Sequence, residues 1–378
     1  MRSNLLAALL TTATLAVTAC AGEPQAPLTP PPPPAPVETA AVAPPPSGLT
    51  PPAPPPKPPL ADLIESSLTA TREGFNAHDP AKMATAVTDD VAVFDYGHGE
   101  THSKADFQNG MAQLFSFVGD AKFAPSRVWK KGDVVILELT WAGTMTGDVM
   151  GMKATHKPVG QVRLHVCWFN DDGLIKELHE YADDAGLMAQ MQNKKGAPPV
   201  PMLPTNPPEV HVAAGTPEQD KLGDWAKGMD DAFNKDDAKA VVAGLADDAD
   251  YWLNTTGMPA TRGKKDLAKE LQAFLKAFPD QKWTTTNAWG IDGFGILEHS
   301  MSGTFKGPLG PVRPNGKKVT AWHWVDITQP AADGKLQHGW GYANPMELLA
   351  QAGALPVTPS EKPTKAPSKG GPAPAPKK

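Results

Sequence analysis

The chain has 378 residues, with 42 prolines, 34 glycines, two cysteines and a formal net charge of -6. That length allows two or three domains, but so much proline and glycine means that a good part of it is not packed. The acidic balance excludes a global pull toward nucleic acid, and two cysteines exclude a disulfide scaffold.

At the N-terminus, Arg2 precedes a short apolar run over residues 5–17, which closes with small residues at Val17, Thr18 and Ala19 before Cys20. The run is too short for a permanent membrane helix and has the flanks of a signal peptide. The ending resembles a bacterial lipobox. The resemblance implies cleavage before Cys20, lipid on its sulfur and new amino terminus and, with Ala21 rather than Asp next, sorting to the outer membrane of the cell envelope. Cys167 is then without a partner, and it reads as a small buried hydrophobe. Residues 21–57 are proline-rich and suit a solvated polyproline II tether. Two further breaks, 194–215 and 356–378, bound a first block at 58–193 and a second at 216–355.

In the first block, Leu60, Ile64, Leu68 and Phe75 fall at helical spacing over 60–76, and Asp79-Pro80 caps a second helix over 81–87. A short strand is expected at 91–94 and a Ser-capped helix at 103–117. Four strand-like segments follow at 124–130, 134–143, 157–169 and 174–182, separated by Gly, Asp and Lys turns. Three helices followed by a strand meander predict an α+β domain, with the helices on one face of a curved antiparallel sheet.

The second block repeats the first. Trp129, Ile136, Leu137, Glu138, Gly143, Thr144 and Gly147 correspond at one constant offset to Trp289, Ile296, Leu297, Glu298, Gly303, Thr304 and Gly307. Phe75-Asn76 likewise reappears as Phe233-Asn234 within similar helical stretches. The chain is a tandem duplication.

Residues 163–183, RLHVCWFNDDGLIKELHEYAD, read as a hairpin carrying ionisable groups. Period-2 alternation groups Arg163, His165 and Cys167 on the first strand, and Glu177, His179, Tyr181 and Asp183 on the second. Such types on neighbouring strands could remove a proton from a carbon acid and stabilise the resulting enolate. The expectation is His179 or Glu177 as proton shuttle, His165 as partner and Tyr181 as donor; one residue of register slippage would move the acid among Glu177, Glu180 and Asp183. No HxH or HExxH spacing supports a metal, and the glycines of 143–151 form no phosphate cradle, so no cofactor is expected.

The segments FNAHDPAKMATAVTDDVAVFDYG, GTMTGDVMGMKATHKPV and NDDGLIKELHEYADDAGLMAQM resemble the SnoaL-like polyketide cyclase family of the NTF2-like superfamily. The second block resembles it through GTFKGPLGPVRPNGKKV and GKLQHGWGYANPMELLAQAG. The resemblance implies two cone-shaped domains, each with a ligand cavity. For cyclases proper it implies cofactor-free aldol chemistry using an acid and a histidine.

In the second copy's final strand, His338, Trp340, Gly341, Tyr342 and Asn344 stand opposite Glu177, His179, Glu180, Tyr181 and Asp183, so every carboxylate of that strand is lost. His323 is expected on the same face as His165. Tryptophans are abundant instead, and Trp141, Trp322, Trp324 and Trp340 are candidate ligand contacts, with core or interface packing as the alternative. The two copies are expected to pair as an intramolecular pseudo-dimer. The functional expectation is an envelope lipoprotein that binds a small apolar ligand or serves as a scaffold; the alternative is an acid–base enzyme of cyclase or isomerase type in the first copy.

Overall fold

In the computed structural model, the described residues are 57–235, 238–254, 260–309 and 312–353; Cys20, the N-terminal tether and the C-terminal tail lie outside them. Domain 1 opens with α1 (Leu60–Ala77), which buries Ile64 and Phe75 and stops where His78 turns left-handed at φ 55°. Asp79 accepts from the Lys82 amide to cap α2 (Pro80–Ala84). Strands β1 (Val87–Asp95) and β2 (Gly99–Thr101) follow, then α3 (Lys104–Phe117), capped by Ser103. The meander is β3 (Lys122–Lys131), β4 (Val134–Thr144), β5 (Pro158–Phe169) and β6 (Ile175–Ala182), closed by α4 (Asp184–Met191).

Domain 2 repeats this order: α5 (Pro217–Asn234), α6 (Ala238–Ala243), β8 (Leu245–Leu253), β9 (Thr261–Arg262), α7 (Lys264–Ala277), β10 (Lys282–Ile291), β11 (Phe294–Thr304), β12 (Lys318–Pro330), β13 (Leu336–Ala343) and α8 (Pro345–Gln351). The expected α+β class holds, with two refinements. The sheets are mixed rather than purely antiparallel, because β1 runs parallel to β6 and β8 parallel to β13. The linker is also not all loop: β7 (Glu209–Val212) pairs in parallel with the outer edge of β3, giving that unpaired strand a partner.

Each sheet buries two faces, and alternation along the strands assigns each residue to one of them. One face of the domain 1 sheet turns toward the helices, where Phe123, Leu139, Trp141, Cys167 and Leu178 pack with Ile64, Phe75 and Phe107. The other meets domain 2: Trp129, Ile136, Leu164, Val166 and Tyr181 form one core with Trp289, Ile296, Val325, Ile327 and Tyr342. Tyr181 and Tyr342 are equivalent, as are Glu138 and Glu298, and their bonds are reciprocal. Tyr181 Oη donates to Glu298 Oε1 at 2.6 Å, and Tyr342 Oη donates to Glu138 Oε2. Around this pseudo-two-fold, Arg127 donates to Glu138 at 2.6 Å, while its counterpart Asn287 donates to Glu298 at 2.6 Å.

Both carboxylates are buried, which alone would raise their pKa values. At Glu138 the Arg127 charge outweighs burial, and at Glu298 the His179 hydrogen bond does so, so both sit below the usual glutamate value of 4.5. A depressed folded-state pKa contributes stability that is present above the unfolded value and lost as pH falls through the folded one. The melting temperature should therefore drop steeply on acidification from about pH 5 to about pH 3, and less steeply in a Tyr342→Phe, Arg127→Leu, Glu138→Leu triple variant lacking one of these acids. A flat profile in the parent protein would contradict the assignment.

Candidate functional site

The helix-facing side of the domain 1 sheet encloses a cavity of about 620 Å3, within the range of small-molecule sites. Most of its wall is apolar, including Phe107, Met111, Phe123, Leu139, Trp141 and Leu178. One end is polar and is built from β1, β5, β6 and the start of α4. There His165 Nε2 lies 3.0 Å from Glu180 Oε1, and Arg163 Nη1 lies 3.5 Å from the same oxygen. Arg163 Nη2 is 3.7 Å from Asp184 Oδ1, and His98 Nδ1 stands 3.0 Å from Asp95 and 3.5 Å from Asp184.

The electrostatics follow from burial set against pairing. Burial would raise Glu180, but the charges of His165 and Arg163 outweigh it and hold the carboxyl below its ordinary value. Burial dominates at Asp184 and raises it, with Asp95 adding to the effect. Asp95 is brought down to about 2, its burial overcome chiefly by the His98 hydrogen bond. That same bond, helped by Asp184, raises His98 to about 9. Cys167, in the apolar wall, is pushed by burial up to about 12, which makes it unreactive as a nucleophile.

The residues expected to act together lie on opposite sides of the sheet. His165 opens on the cavity, but His179 and Tyr181 point into the domain interface, where His179 Nδ1 is 2.6 Å and Tyr181 Oη is 2.6 Å from Glu298 Oε1. Glu177, partly exposed, is 3.0 Å from His179 Nε2 on that same side. The reason is a bulge. Phe169 pairs with Ile175, but Trp168 pairs with Glu177, so His165 falls opposite Glu180 and not His179. One extra residue on β6 turns every following side chain to the other face. The Asp183 carboxylate accepts from the Gly186 amide and caps α4. Its counterpart Asn344 caps α8 in the same way, so this lost carboxylate exchanged one good cap for another.

Of the candidate ligand contacts, Trp141 lines the cavity. Trp322 and Trp324 are packed edge to face in the domain 2 core, and Trp340 lies at the interface beneath the Arg127 guanidinium, 4.3 Å from its ring centre. In the loop that follows β4, Met150 lines the cavity, whereas Met145 is fully buried core.

The same bulge recurs in domain 2, between Gln329 and Pro330, so the two sheets can be matched strand by strand. Leu137 pairs with His165 where Leu297 pairs with Asp326, and His165 pairs with Glu180 where Asp326 pairs with Gly341. Arg163 is thus replaced by Trp324, His165 by Asp326, Glu180 by Gly341, and Asp95 by Leu253. Asp184 becomes Pro345, Gln161 becomes Trp322 and Phe123 becomes Trp283. By this register His323 matches Val162, not a neighbour of His165 on the same face, and it stacks on Tyr96 across the interface.

Of the polar members, the sequence pattern misses Asp95, His98 and Asp184; it offers Glu180 only as the acid under a one-residue slip and places Arg163 on the face of His165 without a role. Asp95, His98 and Asp184 bring potential metal-ligand atoms within 4.8 Å of one another. However, Arg163 faces Asp184 and the Asn344 amide donates to it, so the group is satisfied as an ion-pair network.

The SnoaL-like polyketide cyclase family matches residues 65–191 and 224–352. Among solved structures, AclR from Streptomyces galilaeus is similar at 18% identity over 39% of this chain and 87% of its own, with a TM-score of 0.33. A SnoaL-like protein from Jannaschia sp. CCS1 is similar at 14% identity over 38% and 98%, with a TM-score of 0.33. IdmH from Streptomyces antibioticus is similar at 20% identity over 34% and 98%, with a TM-score of 0.31. No curated protein matches the chain.

Proposed function

Because the chain belongs to the SnoaL-like polyketide cyclase family in both of its halves, we propose that domain 1 is a chamber for one small, largely apolar, uncharged molecule. Domain 2 is its filled partner. The observation that carries this reading is the replacement of the polar end, position by position, in a second copy that keeps the fold. Burying Arg163, Glu180, Asp95 and Asp184 is costly. Domain 2 forms the same sheet with Trp324, Gly341, Leu253 and Pro345 in their places, and pairs Asp326, at the position of His165, with buried His299, so the architecture does not require these four charges.

The class of ligand follows from the pairing. Arg163 is matched by Glu180 and Asp184, His98 by Asp95, and His165 by Glu180. A charged ligand would have to displace one of these partners, whereas a carbonyl or hydroxyl needs only a hydrogen bond. 1-N-phenylnaphthylamine, a neutral apolar fluorophore, should bind at one site per chain, and Leu178→Trp, which fills the chamber, should abolish that binding. Equal binding by both proteins would sink the reading.

A second reading is acid–base catalysis, favoured by the Glu180 carboxylate standing 3.0 Å from the His165 imidazole inside an apolar wall. Glu180 would remove a proton beside a bound carbonyl, and His165 or Arg163 would stabilise the enolate. Wash-in of deuterium from D2O into a bound cyclic ketone should then vanish in Glu180→Gln; wash-in at equal rates in both proteins would dismiss this chemistry.

We also propose that the protein is held at the bacterial envelope by lipid on Cys20, on the strength of the apolar run and small residues before it. Cys20→Ala should move the protein from the membrane fraction to the soluble one. Continued anchoring of that variant would refute the lipobox reading.

A further inference from the structure

We propose that domain 2 positions the polar end of the domain 1 chamber, through Asn344 and the His323–Glu347 pair, so that the chamber is complete only when the two domains are docked. This inference rests on the reading of that cavity as a binding site.

Asn344 is fully buried, and its amide orientation is fixed by two different neighbours. Its Oδ1 accepts from the Met346 amide and caps α8 at 3.0 Å, so its Nδ2 hydrogens must face outward. There Nδ2 donates to Asp184 Oδ2, on the carboxylate whose other oxygen faces Arg163. The turn between β1 and β2, which carries Asp95 and His98 to the chamber, lies directly over this contact: a Cβ at Gly97 would strike both Asn344 Nδ2 and Asp184 Oδ2. That close approach admits only glycine.

The second brace holds the same turn from another side. Tyr96 stacks on His323 with ring centres 4.0 Å apart and planes at 17°. His323 cannot swing away, because Glu347 accepts from its backbone amide at 2.9 Å and lies 2.6 Å from its Nδ1. Domain 2 therefore holds the residue before Gly97 and the space behind it.

Among the described residues the bracing runs in one direction. At the position of Tyr96, domain 2 has Asn254, which bonds the backbone of Ala343 within its own domain. Opposite His323 stands Val162, and opposite Asp184 stands Pro345, neither of which could return the contact. The reciprocal Tyr–Glu bonds at the centre of the interface are what pairing alone accounts for. The one-way contacts of Asn344 and His323 converge on the polar end of domain 1.

The test uses the full-length protein and two variants. Asn344→Ser keeps a good helix cap but cannot reach Asp184. His323→Ala removes the stack and leaves the cap intact. Each should speed hydrogen–deuterium exchange in residues 95–101 and weaken 1-N-phenylnaphthylamine binding by about tenfold, the scale of one lost hydrogen bond to a charged group. The melting temperature should stay within about 3 °C of the parent. A role confined to general stability would instead lower the melting temperature and raise exchange throughout. If both variants exchange and bind as the parent does, the proposal fails. Should the parent itself not bind the fluorophore, the chamber reading fails, while exchange in 95–101 still decides whether domain 2 holds the turn.

Discussion

Replacing Arg163 by Trp together with Glu180 by Gly is expected to leave the protein folded and to weaken 1-N-phenylnaphthylamine binding by at least about tenfold. The two substitutions install the residues that domain 2 carries at those positions, Trp324 and Gly341. Removing one partner alone would strand a buried charge, at a cost of about 3–5 kcal/mol; removing both takes out one charge of each sign, which is often neutral or stabilising, while Asp184 keeps His98 and Asn344 and His165 can stand neutral. Glycine within β6 costs about 1 kcal/mol through backbone freedom, and the new indole offsets part of that by burying apolar surface where the guanidinium stood. Circular dichroism and thermal melting follow the fold, and fluorescence titration follows the site. Arg163→Ala alone should be the less stable protein. If the double variant unfolds while Arg163→Ala melts as the parent does, the charges belong to the fold, and the case for a chamber built at the expense of stability collapses.

The second large effect concerns the interface. Glu298→Ala should destabilise the protein by about 3–5 kcal/mol, because three donors lose their common acceptor in a buried place. Tyr181 Oη, His179 Nδ1 and Asn287 Nδ2 all lie 2.6 Å from this carboxylate. Glu65→Ala, which breaks the exposed pair with Lys130, should be indistinguishable from the parent. Denaturant unfolding measures both variants. Equal midpoints for the two would show that the sheet-to-sheet contact is not held as described.

The fold was largely legible because its signals are local. The Asp79 and Ser103 caps, the helical spacing from Leu60 to Phe75 and the turn at Gly173 fall where the sequence pattern puts them. The repeat was legible too, since Trp129 and Trp289 fill equivalent places in one shared core. The site was not, and the failure has one main cause. Alternation counted from Glu177 groups it with His179 and Tyr181 correctly, but nothing local announces the bulge that sets His165 opposite Glu180. A register error of one residue exchanges the two faces of a strand, so Glu177 on the interface face is set ahead of Glu180, which the pattern offers only as the alternative acid. Glu298, the partner that gives His179 its role, is 119 residues away, and only the docking of the two sheets brings it there. Arg163 was placed on the face of His165 from the start; its weight in the site depends on Asp184 and Glu180, which belong to a different strand and helix.

If domain 1 holds a ligand where domain 2 holds its own tryptophans, a bound molecule should be visible in that chamber alone. A crystal structure of the protein grown with 1-N-phenylnaphthylamine tests it most directly. Density is expected for one molecule per chain inside domain 1, against Trp141 and Leu178 with one end toward His165 and Arg163, and none among Trp283, Trp322 and Trp324. Density confined to the outer surface or to the interface between the domains would contradict it.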